Sequence, residues 1–213
     1  MKFVPRRARE GVNVSKTHPL VEAGSLVVGL TILFFVVVVA LVFLVEAALY
    51  FVSAEDEAEL FADWLPEDLV TVAPDDERLS DSQQLIDRLA RHWPDSPYEF
   101  RLEIHESEQS NAMALPGGLI VVTTGLLDQV ESENELAFVL AHELGHFRNR
   151  DHLRAIGRGV VIALVMAVAW GGDSSGIGVR TADFTLRSFG RQQETAADEF
   201  GLLVVNSEYG HID

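Results

Sequence analysis

The stretch His142-Glu143-Leu144-Gly145-His146 places two imidazoles one helical turn apart with a carboxylate between them. Residues i and i+4 lie on one face of a helix, so His142 and His146 can offer nitrogen atoms to a single metal ion. Glu143 lies about 100° around the helix from His142, where its carboxylate can accept a proton from water beside the metal. The pattern predicts one catalytic Zn²⁺ with Glu143 as its general base.

The residues around this motif predict a buried helix. Ser132 and Glu135 have the spacing of a capping box, which would start the helix at this point and place the motif in its third turn. Such a helix lies at the centre of a domain. Two surface histidines on a solvated helix are the alternative, which the apolar surroundings disfavour because unpaired buried polar groups are costly. The apolar positions are Leu136, Phe138, Val139, Leu140, Ala141 and Leu144.

Length and composition limit the organisation of the chain and the metal ligands available to it. The 213 residues suit one membrane segment and one modest globular domain. Because the sequence contains no cysteine, disulfides and thiolate ligands are excluded, and His, Asp and Glu remain as metal ligands.

Residues 24–45 form an uncharged apolar run of 22 residues, long enough for the roughly 30 Å of a bilayer core. We interpret it as a transmembrane anchor. A cleaved signal peptide is the alternative, with residues 52–54 as a loose cleavage site, but its apolar core should span only about 7–15 residues.

The flanking charges orient this anchor. Five basic residues precede it and five acidic residues follow it closely, so the positive-inside rule puts the N-terminus in the cytoplasm. We therefore expect a single-pass inner-membrane protein whose catalytic domain is extracytoplasmic, and periplasmic in a Gram-negative bacterium. From Ser53 onward there are 30 acidic and 11 basic side chains, which argues against nucleic acid as a partner. The flanking charges are Lys2, Arg6, Arg7, Arg9 and Lys16 before the run, and Glu55, Asp56, Glu57, Glu59 and Asp63 after it.

Downstream patterning predicts a helix at residues 80–93, capped by Ser80 or Asp81, and a strand at 98–105. Residues 111–115 and 119–124 flank a Pro-Gly-Gly turn and predict a hairpin. Its first arm has small side chains, so an extended peptide could pair with it as an added strand; an ordinary meander is the alternative. Residues 160–170 are too short to span a bilayer and predict a buried helix, or a hairpin that dips into the membrane. Residues 173–178 would form a mobile loop that could cover the site.

A catalytic zinc needs three protein ligands, and no third histidine follows His146 at the short spacing of one protease class. Glu194 and Asp198 lie one turn apart on a second predicted helix. Glu194 could bind zinc while Asp198 orients a ligating histidine. A solvated acidic helix face is the alternative.

These three segments together resemble the HtpX-like and CAAX-prenyl-protease family of membrane-associated zinc endopeptidases, over about residues 80–205. The resemblance implies a gluzincin fold with His142, His146 and Glu194 as ligands, Glu143 as base and Asp198 as the orienting carboxylate. It also implies that Asn111, Ala112, Met113 and Ala114 form the edge strand that receives substrate. In this family the chain usually continues with a helix whose groups polarise the substrate carbonyl. His211 is the one histidine near the C-terminus of this sequence, and we expect it to have such a role or a regulatory one. A truncation of the sequence at Asp213 is left open.

The sequence thus predicts an α+β fold, a mainly helical zincin domain with a small sheet beside the motif helix. Its expected regions are a basic cytoplasmic N-terminus (1–23), an anchor (24–52), an acidic stalk (53–79) and a metallopeptidase domain (80–213). The expected function is a membrane-anchored zinc endopeptidase that cleaves protein substrates in envelope protein quality control. A membrane-tethered, metal-holding chaperone-like module and a simple anchor protein with an accidental motif are the alternatives.

Overall fold

The computed structural model describes residues 18–63, 65, 69–73, 76–170 and 189–210. Contacts divide the chain into two units, Met1–Leu41 and Val42–Asp213. Helix α1 covers Pro19–Phe51 and is the one described helix that is long and apolar enough to cross a membrane. It is longer than the predicted run because the residues on both sides of that run continue the helix.

In the described part of the chain, two shorter helices lie between α1 and the sheet. Helix α2 (Ala54–Phe61) is capped by Ser53, whose side chain accepts from the Asp56 N–H, and it lies within the segment predicted as an acidic stalk. Helix α3 (Glu77–Ala90) starts earlier than predicted. The assignment of Ser80 or Asp81 as its cap is wrong, because Asp76 accepts from the Arg78 N–H at 2.9 Å and Ser80 donates back to a carbonyl inside the helix.

The sheet has three strands in the order β1-β3-β2. Strand β1 (Arg101–His105) pairs in parallel with β3 (Leu119–Thr123), and β2 (Ala112–Leu115) pairs antiparallel with β3. The central strand β3 is buried along its whole length. The predicted hairpin is therefore present as β2 and β3. Its turn needs Gly117, which has φ +75° and lies so close to the Phe61 carbonyl that a Cβ there would clash at 2.2 Å.

After the sheet, the described residues form four helices: α4 (Thr124–Leu127), α5 (Glu133–Asn149), α6 (Asp151–Trp170) and α7 (Arg191–Tyr209). Residues 160–170, predicted as a buried helix or a membrane-dipping hairpin, continue α6 as helix. Apolar residues of α3, α5 and α7 form the core with one face of the sheet, including Ile86, Leu89, Ile104, Leu140 and Val204. This mainly helical domain with a small mixed sheet beside the motif helix confirms the predicted fold class.

Candidate metal centre

Helix α5 presents His142, Glu143 and His146 near its middle, as the spacing predicts. The Ser132 hydroxyl accepts from the Glu135 N–H at 3.3 Å and starts the helix. The second half of the predicted capping box is wrong. The Glu135 carboxylate accepts from the N–H of Glu131 instead, one residue before the cap.

Helix α7 approaches α5 closely because small residues face each other. A Cβ on Gly145 would lie 2.7 Å from Cα of Ala197. One turn away, a Cβ on Gly201 would lie 3.1 Å from the backbone nitrogen of His142. This close packing brings the α7 carboxylates Glu194 and Asp198 to the two imidazoles.

Three candidate ligand groups converge here. The Nε2 atoms of His142 and His146 lie 3.0 Å apart. The Glu194 carboxylate lies within 3.6 Å of His142 Nε2, through Oε2, and within 4.0 Å of His146 Nε2, through Oε1. Among the described residues, these three form the one group of His, Asp and Glu with ligand atoms close enough to share a metal ion. The structure thus brings together the three residues predicted as ligands.

Each imidazole is oriented from behind by a carboxylate. His142 Nδ1 lies 2.8 Å from Asp198 Oδ1, as predicted. His146 Nδ1 lies 3.1 Å from Asp151 Oδ2, and Gln193 donates to the other oxygen of the same carboxylate. Sequence reasoning missed Asp151. The available signal was an acidic residue directly after the motif helix, but that position alone does not show that its side chain turns back toward His146.

The electrostatics of this pair follow from burial and hydrogen bonding. Burial alone would raise the pKa of Asp151, but the hydrogen bonds from His146 and Gln193 outweigh it, and the pKa is lowered. Burial alone would lower the pKa of His146, and the hydrogen bond to Asp151 with the nearby charge of Glu143 raises it instead. Asp151 therefore remains a carboxylate that accepts from Nδ1–H.

The donor set fits a metal ion such as zinc. Because each Nδ1 donates to a carboxylate, each Nε2 is left as an acceptor whose lone pair points into the shared space. Two such lone pairs only 3.0 Å apart repel each other unless a proton or a metal ion lies between them. Ligands of a tetrahedral zinc lie about 3.3 Å apart, which is close to the separations between the three groups.

Glu143 lies beside these ligands, in a nearly closed environment. Glu143 is only 6% exposed, and the nearby backbone amide of Ala114 favours the charged form of its carboxylate. Burial raises the pKa of Glu143, although His146 and His142 oppose this shift. A carboxylate with a raised pKa is suited to accept a proton near neutral pH.

Strand β2 has an outer edge beside Glu143. The Thr123 N–H donates to the Asn111 carbonyl, so the alternation of an antiparallel ladder turns the backbone groups of Ala112 and Ala114 away from β3. The Ala114 amide lies near the Glu143 carboxylate and favours its charged form, which agrees with this orientation. Asn111, Ala112 and Met113 are half-buried, whereas Ala114 is buried.

Some predicted features lie outside the described residues: His211, the loop at 173–178 and the basic residues before position 18. Phe189, which sequence reasoning did not select, stacks on His146 with ring centroids 4.1 Å apart. It covers one face of that imidazole just before α7 begins.

Comparisons with known proteins find similarity to metallopeptidases. The model of peptidase family M48 matches residues 76–212. Mitochondrial metalloendopeptidase OMA1 of Arabidopsis thaliana is 36% identical over 98 residues, which make up 46% of this chain and 20% of the relative. OMA1 of Schizosaccharomyces pombe is 32% identical over 117 residues, 52% of this chain and 34% of the relative. The beta-barrel assembly-enhancing protease of Yersinia pestis is 32% identical over 123 residues, 52% of this chain and 25% of the relative. The matched part thus spans about a third or less of these relatives.

Proposed function

Because this chain belongs to peptidase family M48, we propose that it is a membrane-anchored, zinc-dependent endopeptidase that hydrolyses peptide bonds of protein substrates. Membership confirms the resemblance to HtpX-like membrane-associated zinc proteases. The observation that carries the proposed activity is the convergence of His142, His146 and Glu194 beside the buried carboxylate of Glu143.

His142, His146 and Glu194 would hold the metal, with Asp198 and Asp151 fixing the two imidazoles in the tautomer that leaves Nε2 free to bind. When bound, zinc supplies Lewis acidity, which polarises the scissile carbonyl and makes water more acidic. Two nitrogens and one carboxylate are a ligand set of known catalytic zinc sites.

Glu143 moves the proton. Its carboxylate accepts a proton from the attacking water and donates it to the leaving amine when the C–N bond breaks. The closed surroundings of Glu143 favour this role because burial raises its pKa.

The outer edge of β2 offers backbone groups with which an extended protein substrate could pair. An extended peptide that pairs with Asn111–Ala114 would add a fourth strand to the sheet, and its backbone would run past Glu143. Main-chain pairing of this kind does not depend on substrate side chains, so it suits a protease that acts on unfolded segments.

We place the chain in the inner membrane with residues 1–23 in the cytoplasm, an anchor at 24–52, a stalk at 53–79 and a catalytic domain at 80–213 outside the cytoplasm. The charges around α1 support this orientation. A role in envelope protein quality control is consistent with a relative whose name refers to beta-barrel assembly.

The test is a time course of casein digestion by the full chain in detergent micelles. We expect digestion to stop when a chelator is added and to resume when Zn²⁺ is restored. Digestion that continues unchanged after metal removal would contradict metal-assisted hydrolysis. A protein that binds one zinc ion and leaves casein intact would instead support the metal-holding binding module.

A further inference from the structure

A second buried polar cluster lies next to the candidate metal centre. It joins α2 to the junction of α5 and α6. Glu57 and His152 are both 0% exposed, and Glu57 Oε1 lies 2.6 Å from His152 Nε2. The Tyr98 hydroxyl donates to Glu57 Oε2 at 2.8 Å. A buried carboxylate requires such partners because an unpaired buried charge is strongly unfavourable.

Arg150 extends this cluster to the start of α2. Its Nη2 lies 3.5 Å from Glu57 Oε2, and its Nη1 donates to the Val52 carbonyl at 2.7 Å. Burial alone would raise the pKa of Glu57, but the hydrogen bonds and the positive charge around it lower the pKa. Glu57 therefore remains a carboxylate in the folded protein and can hold Arg150 by charge.

The same short junction also faces the metal ligands. Arg150 ends α5 in the left-handed conformation, with φ +56°, and α6 begins at the next residue, Asp151. The three consecutive residues 150–152 therefore contact two different sites. Arg150 and His152 contact Glu57, whereas the residue between them, Asp151, contacts His146 at 3.1 Å.

We propose that Glu57 is a positioning residue that, by holding Arg150 and His152 from α2, fixes Asp151 against His146 and keeps this imidazole in its metal-binding orientation. This inference rests on the proposed function. If Glu57 has this role, the geometry of the metal centre depends on the position of α2, the helix that directly follows the apolar helix α1.

The test compares the wild-type full chain with Glu57→Gln in detergent micelles. Glu59→Gln is the matched control, because Glu59 is an exposed carboxylate on the same helix. Ile86→Val is a second control that loosens the core away from the cluster. The measurements are the visible spectrum of the Co²⁺-loaded protein, the Zn²⁺ dissociation constant against a competing chelator, and kcat and KM on a peptide substrate.

We expect Glu57→Gln to shift the Co²⁺ absorption bands, to raise the Zn²⁺ dissociation constant about tenfold, and to lower kcat with KM unchanged. Both control variants should keep the wild-type spectrum and dissociation constant, even where Ile86→Val lowers the melting temperature. A Glu57→Gln protein with the wild-type spectrum and Zn²⁺ affinity would overturn the inference, as would an equal spectral shift in Ile86→Val.

If Glu57→Gln does not fold, Tyr98→Phe tests the same point, because it removes only one hydrogen bond to Glu57. It should shift the Co²⁺ bands in the same direction by a smaller amount, and an unchanged spectrum would overturn the inference. A failure of the proposed function would give a different result. In that case the wild-type protein itself would bind no stoichiometric metal or cleave no peptide.

Discussion

At the residue scale, the candidate metal centre depends on the carboxylates that contact the imidazoles at Nδ1, the ring nitrogen that does not face the metal position. Asp198 and Asp151 contact Nδ1 of His142 and His146, and they belong to two different helices, α7 and α6. Such partners fix both the tautomer and the orientation of a ligating histidine. The two interactions therefore decide whether both Nε2 atoms point at the same position.

Replacing Asp198 with alanine should weaken metal binding. Removal of the carboxylate frees His142 to rotate and to change tautomer, which typically costs about 10-fold to 100-fold in metal affinity or activity. The measurement is zinc affinity by competition with a chromophoric chelator. Glu199→Gln is the matched control, because Glu199 is the exposed neighbour on the same helix. Equal affinity in Asp198→Ala and Glu199→Gln would refute the orienting role.

Because of Glu57, the free energy of unfolding should depend on pH. Its pKa is below the ordinary value of 4.5 in the folded protein, so the folded state binds the proton less readily than the unfolded state. The stabilisation by its charge is therefore present above about pH 4.5 and is lost as the pH falls through the lower, folded value.

The corresponding measurement is urea unfolding of wild type and Glu57→Gln at neutral pH and at pH 4 and below. We expect a difference in unfolding free energy of about 3 kcal/mol at neutral pH, as for a broken buried pair, and a smaller difference in acid. Glu59→Gln should change stability little at either pH. A difference that stays constant with pH would contradict a charged Glu57.

At the scale of the elements, the packing of α5 on α7 assembles the site. Gly145 and Ala197 bring these helices together, and Glu194 comes into reach of both imidazoles as a result. The metal centre is thus a product of helix packing as well as of the motif itself.

Gly145→Ala should separate these helices. The new Cβ would lie 2.7 Å from Cα of Ala197, so α7 must shift. Overpacking of this kind typically costs about 1–3 kcal/mol. We expect a lower melting temperature and a loss of zinc affinity, measured by calorimetry and chelator competition. Gly29→Ala is the control, since a Cβ on Gly29 meets nothing within 4 Å. A Gly145→Ala protein with wild-type zinc affinity would show that the spacing of these helices does not set the site.

Local patterns predicted the elements that depend on local sequence. The hairpin follows from its Pro-Gly-Gly turn, and α5 follows from Ser132 and the apolar positions after it. The burial of Glu57 was not predictable in this way, because its partner His152 is 95 residues away in sequence and charged residues directly after an anchor usually face solvent. The contact of Asp151 with His146 was missed because it depends on the left-handed turn at Arg150.

At the scale of the whole molecule, the charges around α1 determine the proposed topology. Basic residues precede this helix and acidic residues follow it, so the domain after α1 should be outside the cytoplasm. All of the proposed chemistry then takes place beyond the membrane, on proteins that are exposed there.

Because the chain has no cysteine, one introduced cysteine can report this topology. Asp95 lies in an exposed turn between α3 and β1. We expect Asp95→Cys to react with a membrane-impermeant maleimide once the outer barrier of the cell is opened, with the inner membrane intact. A second cysteine variant, Ser15→Cys, should react only after the inner membrane is lysed. The opposite pattern would reverse the orientation.

The central claim is that Glu143 performs proton transfer at a metal centre that does not need it for metal binding. The most direct measurement is zinc content and casein turnover on the same preparation of Glu143→Gln, beside wild type. We predict about one zinc ion per chain in both proteins, as one catalytic ion requires, and no detectable cleavage by the variant. Casein cleavage by Glu143→Gln at the wild-type rate would contradict the account.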